Sequence, residues 1–137
     1  MTFKRIYDYS GNDYKILIDR MWPRGIKKDK VDLWFKDIAP SRELVKEYHN
    51  DKDYDKFKDN YFNELDNNKE KVNELINLIS SGDVVLLYSS KLKNNNATAL
   101  EEYLKIAKWF AILSLLWNHM YQMILHHHYS SYKFYYL

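Results

Sequence analysis

The sequence predicts a small α/β domain with a mainly parallel sheet of three to four strands, flanked by helices and followed by a long C-terminal helix. Two apolar segments, residues 14–18 and 83–88, have the length of strands. The second is apolar after its first residue, which is typical of a strand buried on both faces of a parallel sheet. Helical patterns separate the two segments, and this order favours a right-handed crossover between parallel strands.

The first forty residues are predicted to form two short strands and a charged connection. Residues 3–8 and 14–19 have strand composition, and the polar segment 10–13 between them has the composition of a turn. A tight hairpin is one possible pairing, and the length of the loop leaves the pairing open. Residues 27–36 are highly charged. We expect a helical turn there, around three apolar residues: Val31, Leu33 and Trp34.

Four helices are predicted from capping residues and apolar spacing. The first begins after Ser41, whose side chain can cap it. The second covers about residues 54–65 and the third covers residues 69–80, each with apolar residues at three- and four-residue spacing. We expect Gly82 to adopt left-handed backbone after the third helix. A long fourth helix begins near Ala97.

Composition indicates one folded domain without cysteine chemistry. The chain has 137 residues, of which 46% are hydrophobic and none is cysteine. This excludes disulfide frameworks, thiol nucleophiles and cysteine-ligated zinc. Residues 1–15 are charged and lack the apolar stretch of a secretory signal, so we expect a cytoplasmic protein. Residues 1–102 contain 19 acids and 18 lysines and arginines. Binding of nucleic acid would therefore depend on a local basic patch.

A corner rich in cations follows the second predicted strand. It contains a proline, a glycine, two arginines and a tryptophan: Arg20, Trp22, Pro23, Arg24 and Gly25. Guanidinium groups stay charged and bind carboxylate or phosphate through two parallel hydrogen bonds, and an indole offers a stacking face. The sequence therefore predicts an anion-binding corner where a strand ends. In the alternative, structural interpretation, Arg20 pairs with Asp19 or Asp37 and Trp22 simply packs.

A second polar loop, residues 89–96, follows the strand at 83–88. It carries three candidate ligand-binding residues, Lys91, Asn95 and Asn96, just before a helix N-terminus, which is a favourable position for an anion. A solvated polar loop explains the same residues. If the second and third predicted strands are parallel neighbours, the two loops face one another at the carboxyl edge of the sheet.

Acid–base chemistry could come from three residues near these loops: Asp19, Asp37 and Tyr88. A carboxylate would act as general base and the phenol as proton donor in a desolvated pocket. Alternatively, the acids balance neighbouring arginines and Tyr88 ends a buried strand. Ser41 fits a helix cap better than a nucleophile.

Two longer segments carry a family resemblance. Residues 16–25 read ILIDRMWPRG and residues 32–41 read DLWFKDIAPS. Further matches follow in the same order: Tyr61, Glu64-Leu65 and Leu86-Leu87-Tyr88. With these segments the chain, from residue 4 to residue 104, resembles the bacterial family called domain of unknown function 488, in its short YeaO-like form. The resemblance implies a compact α/β fold and an unassigned biochemical role.

The chain departs from the family pattern at two places. The resemblance implies that a lysine or arginine followed by an aspartate usually stands after the third strand, whereas here Lys91 is followed by Leu92. If that aspartate does chemistry in relatives, its absence argues against catalysis here. Family members of this type also end soon after the helix that contains residues 100–104. Residues 105–137 therefore look like an addition to a domain covering residues 1–104.

The addition is predicted to be helical and to serve oligomerisation or packing. Within residues 109–125 the polar residues share one arc with Lys108 and leave a broad apolar face. This pattern favours packing on the protein's own core or self-association through residues 105–125, including a homodimer or domain swapping. Membrane association is less favoured, because a spanning helix needs no polar stripe. An accidental extension is a further alternative.

The sequence favours an anion-binding function without a metal or cofactor. The run His126-His127-His128 has no acid nearby, and three consecutive histidines rarely all face one ion. The favoured ligand is phosphate-bearing or otherwise anionic, a nucleotide or nucleic acid, bound at the arginine–tryptophan corner. One alternative is a small hydrolase-like enzyme in the same cleft. The other is an interaction protein that oligomerises through its C-terminal helix.

Overall fold

A computed structural model of the chain shows a parallel sheet with helices and a long C-terminal helix, which confirms the predicted fold class. The structure describes the backbone of residues 1–133 and the side chains of residues 1–127. The strands are β1 (Thr2–Arg5), β2 (Tyr14–Leu17), β3 (Leu33–Trp34) and β4 (Val84–Tyr88). The helices are α1 (Arg42–Asp51), α2 (Tyr54–Asp66), α3 (Lys69–Ser80) and α4 (Asn96–Lys133). Short 3-10 turns cover Ile6–Asp8, Lys28–Lys30 and Lys36–Ile38.

The sheet has the strand order β1-β4-β2-β3, and each neighbouring pair is parallel. In the register of β4, Leu86 lies beside Phe3 of β1 and beside Ile16 of β2. Residues 84–87 of β4 are all buried. This confirms the prediction that the apolar run at 83–88 forms a strand covered on both faces.

The first two predicted strands do not form a hairpin, which the sequence allowed as one possible pairing. β4 lies between β1 and β2, and Val85 is the register partner of both Thr2 and Lys15. The uniformly apolar strand gains most from the central position, because it is covered there on both faces and paired along both edges. The first strand is also shorter than predicted, since residues 6–8 leave the sheet in a 3-10 turn that buries Ile6.

The charged connection folds differently from the expected helical turn. The 3-10 turn lies at Lys28–Lys30, whereas Leu33 and Trp34 form β3 against β2. The amide of Asp32 donates to the carbonyl oxygen of Lys15 at 2.9 Å, and the amide of Phe35 donates to that of Leu17 at 2.8 Å. Hydrogen bonding to the open edge of β2 therefore determines the backbone conformation of this segment. The local spacing of its apolar residues does not determine it.

The predicted start of α1 and the predicted boundaries of α2 and α3 are close to those observed. Ser41 caps α1 as predicted, because its Oγ accepts a hydrogen bond from the amide of Leu44 at 3.2 Å. Glu64 of α2 in turn accepts from the amide of Ser41 at 2.9 Å and from its hydroxyl at 2.5 Å. An internal carboxylate therefore occupies the positive end of α1.

The expectation for Gly82 is wrong, whereas Gly25 does adopt left-handed backbone. Among the glycines, Gly25 has a φ of 76° and Gly82 has no positive φ. Helix α3 ends at Ser80, and the cap residue Ser81 has right-handed backbone and an amide that donates to the carbonyl oxygen of Leu78. This tightened last turn satisfies the helix end without a left-handed residue.

Two compact units make up the chain, residues 1–103 and residues 104–137. The first contains the sheet and a core of fully buried side chains that includes Ile16, Tyr61, Leu75 and Leu86. The second is helical over its described residues, and large apolar side chains such as Trp109, Phe110 and Trp117 are exposed along it. Within the described residues, no helix has an apolar stretch long enough to cross a bilayer.

Candidate anion-binding site

The carboxyl ends of the parallel strands lie at one edge of the sheet, and the loops after β2 and β4 line two cavities there. Each cavity has a volume of about 640 Å³. The lining of the first, the α1 pocket, includes Arg42, Val45, Lys46, Tyr48, Phe57 and Leu92. The lining of the second, the Arg24 pocket, includes Arg5, Tyr7, Trp22, Arg24 and Lys91. Met21 and Ser89 line both, so the pockets adjoin.

Arg24 lies at the exposed tip of the turn that follows β2. Gly25 has left-handed backbone there, and the hydroxyl of Tyr7 donates to the carbonyl oxygen of Arg24 at 2.8 Å. These contacts hold the backbone of the corner. The Arg24 guanidinium has no hydrogen-bond or ion-pair partner within the described part of the chain. Its full set of donors is therefore open to a ligand.

Arg20 is held by backbone carbonyls. Its Nε donates to the carbonyl oxygen of Pro40 at 2.7 Å, and its Nη2 donates to that of Ala39 at 2.9 Å. These bonds attach the loop after β2 to the segment that precedes α1. Arg20 also lines the α1 pocket, and two of its five donors are used by these bonds. It therefore combines a structural role with a position at the cavity.

Trp22 is half-buried, and its indole is fixed by packing. Its Nε1 donates to the carbonyl oxygen of Ile26 at 2.8 Å, and its ring meets that of Trp34 edge to face with centroids 5.4 Å apart. The indole also packs against the buried cluster that contains Leu17 and Leu87. Trp22 thus forms a rigid wall of the Arg24 pocket.

Asp19 is buried beyond the end of β2 and ties three segments together. Its Oδ2 accepts hydrogen bonds from the amide and the hydroxyl of Ser89, at 2.8 Å and 2.5 Å. Its Oδ1 accepts from Nδ2 of Asn96 at 3.0 Å. Its own carbonyl oxygen accepts from Nε1 of Trp34 at 2.7 Å. The carboxylate therefore joins the loop after β2 to the loop after β4 and to the start of α4.

The polar loop after β4 divides its predicted residues between the two pockets. Lys91 is exposed and lines the Arg24 pocket. Asn95 is buried and caps α4, because its Oδ1 accepts from the amides of Ala97 and Thr98 at 2.8 Å and 3.2 Å. Asn95 and Asn96 both line the α1 pocket, with their side chains bonded to the protein itself. Lys91 is therefore the loop residue best placed to bind an anion.

The three residues predicted for acid–base chemistry do not meet in one cavity. Asp19 lines the α1 pocket, whereas Asp37 and Tyr88 line neither of the two pockets. Asp37 is exposed in the turn at Lys36–Ile38, and Tyr88 is the half-buried last residue of β4. Their catalytic roles stay a prediction that this geometry does not strengthen.

Sequence reasoning missed several residues that line the pockets: Arg5, Met21, Arg42, Lys46 and Ser89. Arg42 and Lys46 are four residues apart and face the same side of α1, so a search of the helix for paired cations would have found them. Arg5 is in β1, and its Nε donates to the carbonyl oxygen of Ser89 at 3.2 Å. Because these two residues are 84 positions apart, no local sequence pattern indicates their contact.

Among the side chains of residues 1–127, no three histidine, aspartate or glutamate residues are grouped so that they could hold an ion. Of the consecutive histidines, the side chain of His128 lies outside the described residues.

Comparison with known proteins gives the family. A family model described as "Inactive DUF488-N3 subclade" matches residues 1–108, which is most of the chain. The chain belongs to the DUF488 family. This confirms the resemblance drawn from residues 16–25 and 32–41, and the match includes both pockets of the first compact unit.

Two proteins similar to this chain carry no assigned function in their names. The chain is 39% identical over 108 residues to the uncharacterized protein YeaO of Escherichia coli K12, covering 74% of this chain and 94% of YeaO. It is 42% identical over 66 residues to the uncharacterized protein Rv3073c of Mycobacterium tuberculosis H37Rv, covering 44% of this chain and 56% of that protein. No solved structure matches the chain.

The departure from the family pattern lies in the α1 pocket. Leu92 occupies the position where the resemblance expects an aspartate, and it lines that pocket with half of its side chain exposed. Met21 and Val45 line the same cavity, so Leu92 adds to its apolar wall.

Proposed function

We propose that residues 1–103 bind a small phosphate-bearing ligand, with the phosphate in the Arg24 pocket. The observation that carries this proposal is the local balance of charge. The two adjoining pockets are lined by six lysines and arginines and by one acid, although the unit as a whole contains one more acid than cations. Clustering of one sign of charge in a cavity concentrates a ligand of the opposite sign.

Arg24 and Lys91 are the proposed gripping residues. They line the same pocket although 67 positions separate them, and neither has a side-chain partner in the described part of the chain. Arg5 lines the pocket as well, but it is partly used by an ion pair with Asp8 at 3.3 Å and by the carbonyl oxygen of Ser89. Two cationic side chains without internal partners, in a pocket walled by the rigid indole of Trp22, suit a phosphate group.

Binding without catalysis agrees best with the arrangement. The carboxylate of Asp19 is engaged by Ser89 and Asn96, and neither Asp37 nor Tyr88 lines its pocket. The family model is itself described as an inactive subclade. The hydrolase-like alternative therefore has weaker support than a binding role. The proposal retains the cytoplasmic location expected from the sequence.

We expect Arg24→Ala to weaken the binding of inorganic pyrophosphate to the full-length protein by at least about tenfold, because a charge-assisted hydrogen-bonded contact contributes roughly 1.5–3 kcal/mol. Isothermal titration calorimetry at low salt measures this, and the affinity of the unaltered protein should fall as salt rises. Lys28→Ala is the matched control, since Lys28 is exposed and lines neither pocket.

The proposal fails if the unaltered protein does not bind pyrophosphate, or if Arg24→Ala and Lys28→Ala weaken binding equally. A short single-stranded oligonucleotide titrated in parallel distinguishes the ligand classes. If the oligonucleotide binds far more tightly than any small phosphate compound, the ligand is nucleic acid and the small-ligand proposal is wrong.

The second unit supports a separate role in self-association. Trp109, Phe110 and Trp117 are each about two-thirds exposed, and they belong to the broad apolar face predicted from the sequence. Contiguous exposed apolar surface is typical of interaction sites. A second copy of the same helix would cover this face, which gives a homodimer.

We expect the full-length protein to have the mass of a dimer in solution, and Trp117→Glu to shift it to the mass of a monomer, because a buried carboxylate would oppose the apolar contact. Analytical ultracentrifugation measures both. Gln122→Glu is the control, since Gln122 lies on the polar arc on the far side of the helix from Trp117. A monomeric unaltered protein, or equal masses for the unaltered protein and Trp117→Glu, would contradict this role.

A further inference from the structure

The α1 pocket differs from the Arg24 pocket in the chemistry of its walls. Its lining surface is mainly apolar and includes Met21, Val45 and Leu92, whereas that of the Arg24 pocket is about equally polar and apolar. The ring of Tyr48 stacks on that of Phe57 with centroids 4.7 Å apart, and both line the α1 pocket. A cavity of about 640 Å³ with such walls has the size and character of a site for an organic ring.

The single acid of the two pockets also lies in the α1 pocket. Asp19 would repel a phosphate there, but its Oδ1 accepts one hydrogen bond from Asn96 within the described residues and has capacity for another. An amino or hydroxyl group of a ligand could donate to it. The Arg24 pocket has no acid in its lining, so the phosphate is more favourable in that pocket.

We infer that the ligand is a nucleoside phosphate whose base and sugar occupy the α1 pocket while its phosphates occupy the Arg24 pocket. The inference rests on the proposed function. The two pockets adjoin at Met21 and Ser89, and a ligand with one apolar part and one anionic part matches their different linings. The apolar walls contact the base, and the Asp19 carboxylate accepts a hydrogen bond from the sugar or the base.

The test is calorimetric titration of the full-length protein at low salt with pyrophosphate, ADP and UDP. We expect at least one of the two nucleotides to bind about tenfold or more tightly than pyrophosphate, because burial of a planar ring adds to the contacts of the phosphates. Leu92→Asn should reduce nucleotide affinity to nearly that of pyrophosphate. The same substitution should change pyrophosphate affinity much less than nucleotide affinity, since Leu92 does not line the Arg24 pocket.

Leu92→Met is the matched control, because it keeps an apolar side chain of similar size and should retain nucleotide affinity. Leu92 is half exposed, so neither substitution removes a core residue, and thermal unfolding checks this directly. Failure of pyrophosphate to bind would reject the proposed function. If pyrophosphate binds and both nucleotides bind no more tightly, the nucleoside inference alone is rejected.

A reversed orientation is a separate outcome of the same experiment. Arg42 and Lys46 lie in the lining of the α1 pocket and are exposed. If the double variant Arg42→Ala and Lys46→Ala weakens pyrophosphate binding more than Arg24→Ala does, the phosphates occupy the α1 pocket. That result would overturn the inference.

Discussion

Replacing Asp19 by alanine is expected to lower the free energy of unfolding by about 3 kcal/mol, because the variant removes a buried carboxylate that accepts three hydrogen bonds. The amide and hydroxyl of Ser89 and the amide group of Asn96 would then lose their acceptor. Equilibrium unfolding in urea, followed by tryptophan fluorescence, measures the change.

Asp59→Ala is the control for this experiment, since Asp59 is an exposed acid on α2, and its removal should change the free energy by less than about 0.5 kcal/mol. Asp19→Asn keeps the shape of the side chain, but its NH₂ group would face the hydrogen-bond donors of Ser89 and Asn96. This variant should therefore also destabilise the fold. A loss below about 1 kcal/mol for Asp19→Ala would show that the carboxylate does not hold the loops together.

The second large effect is expected at alkaline pH and arises from Tyr61. This side chain is 1% exposed, and its hydroxyl donates to the carbonyl oxygen of Ile38 at 2.6 Å. Burial raises the pKa of Tyr61, and the charges of Glu64 and Asp19 raise it further. The folded protein therefore keeps this phenol neutral at a pH where the unfolded chain releases the proton.

The direction of the pH dependence follows from this raised pKa. The contribution of Tyr61 is fully present below the unfolded pKa of about 10 and is lost as the pH rises above it, at about 1.4 kcal/mol per pH unit. Between about pH 8 and about pH 11.5 we expect the unaltered protein to lose roughly 2 kcal/mol more than Tyr61→Phe does.

Urea unfolding of both proteins across this pH range measures the difference. Other tyrosines also have a raised pKa, among them Tyr103 at about 12 through burial and a hydrogen bond to Asp66, so the comparison must be made against Tyr61→Phe. At neutral pH the variant should be less stable by about 1–2 kcal/mol, because the carbonyl of Ile38 loses its donor. Parallel pH curves for the two proteins would contradict the assignment.

Part of the candidate site was predictable because it lies in short polar loops after apolar strands. The corner with Arg24 and the loop with Lys91 were both identified from this order, and the structure brings them to one pocket. The partners of Arg20 were not predictable. The sequence suggested a carboxylate, but the guanidinium binds the carbonyls of Ala39 and Pro40, which no side-chain pattern signals.

By itself, the sequence determined which segments form most strands and helices, because apolar spacing and capping act over a few residues. The apolar run of β4, the repeat in α3 and the cap at Ser41 are examples. Tertiary structure alone decided that β4 separates β1 from β2 and that Leu33 and Trp34 form a strand. The physical reason is that strand pairing and hydrogen bonding join groups that are far apart in the chain. Such groups come together only when the whole core is buried.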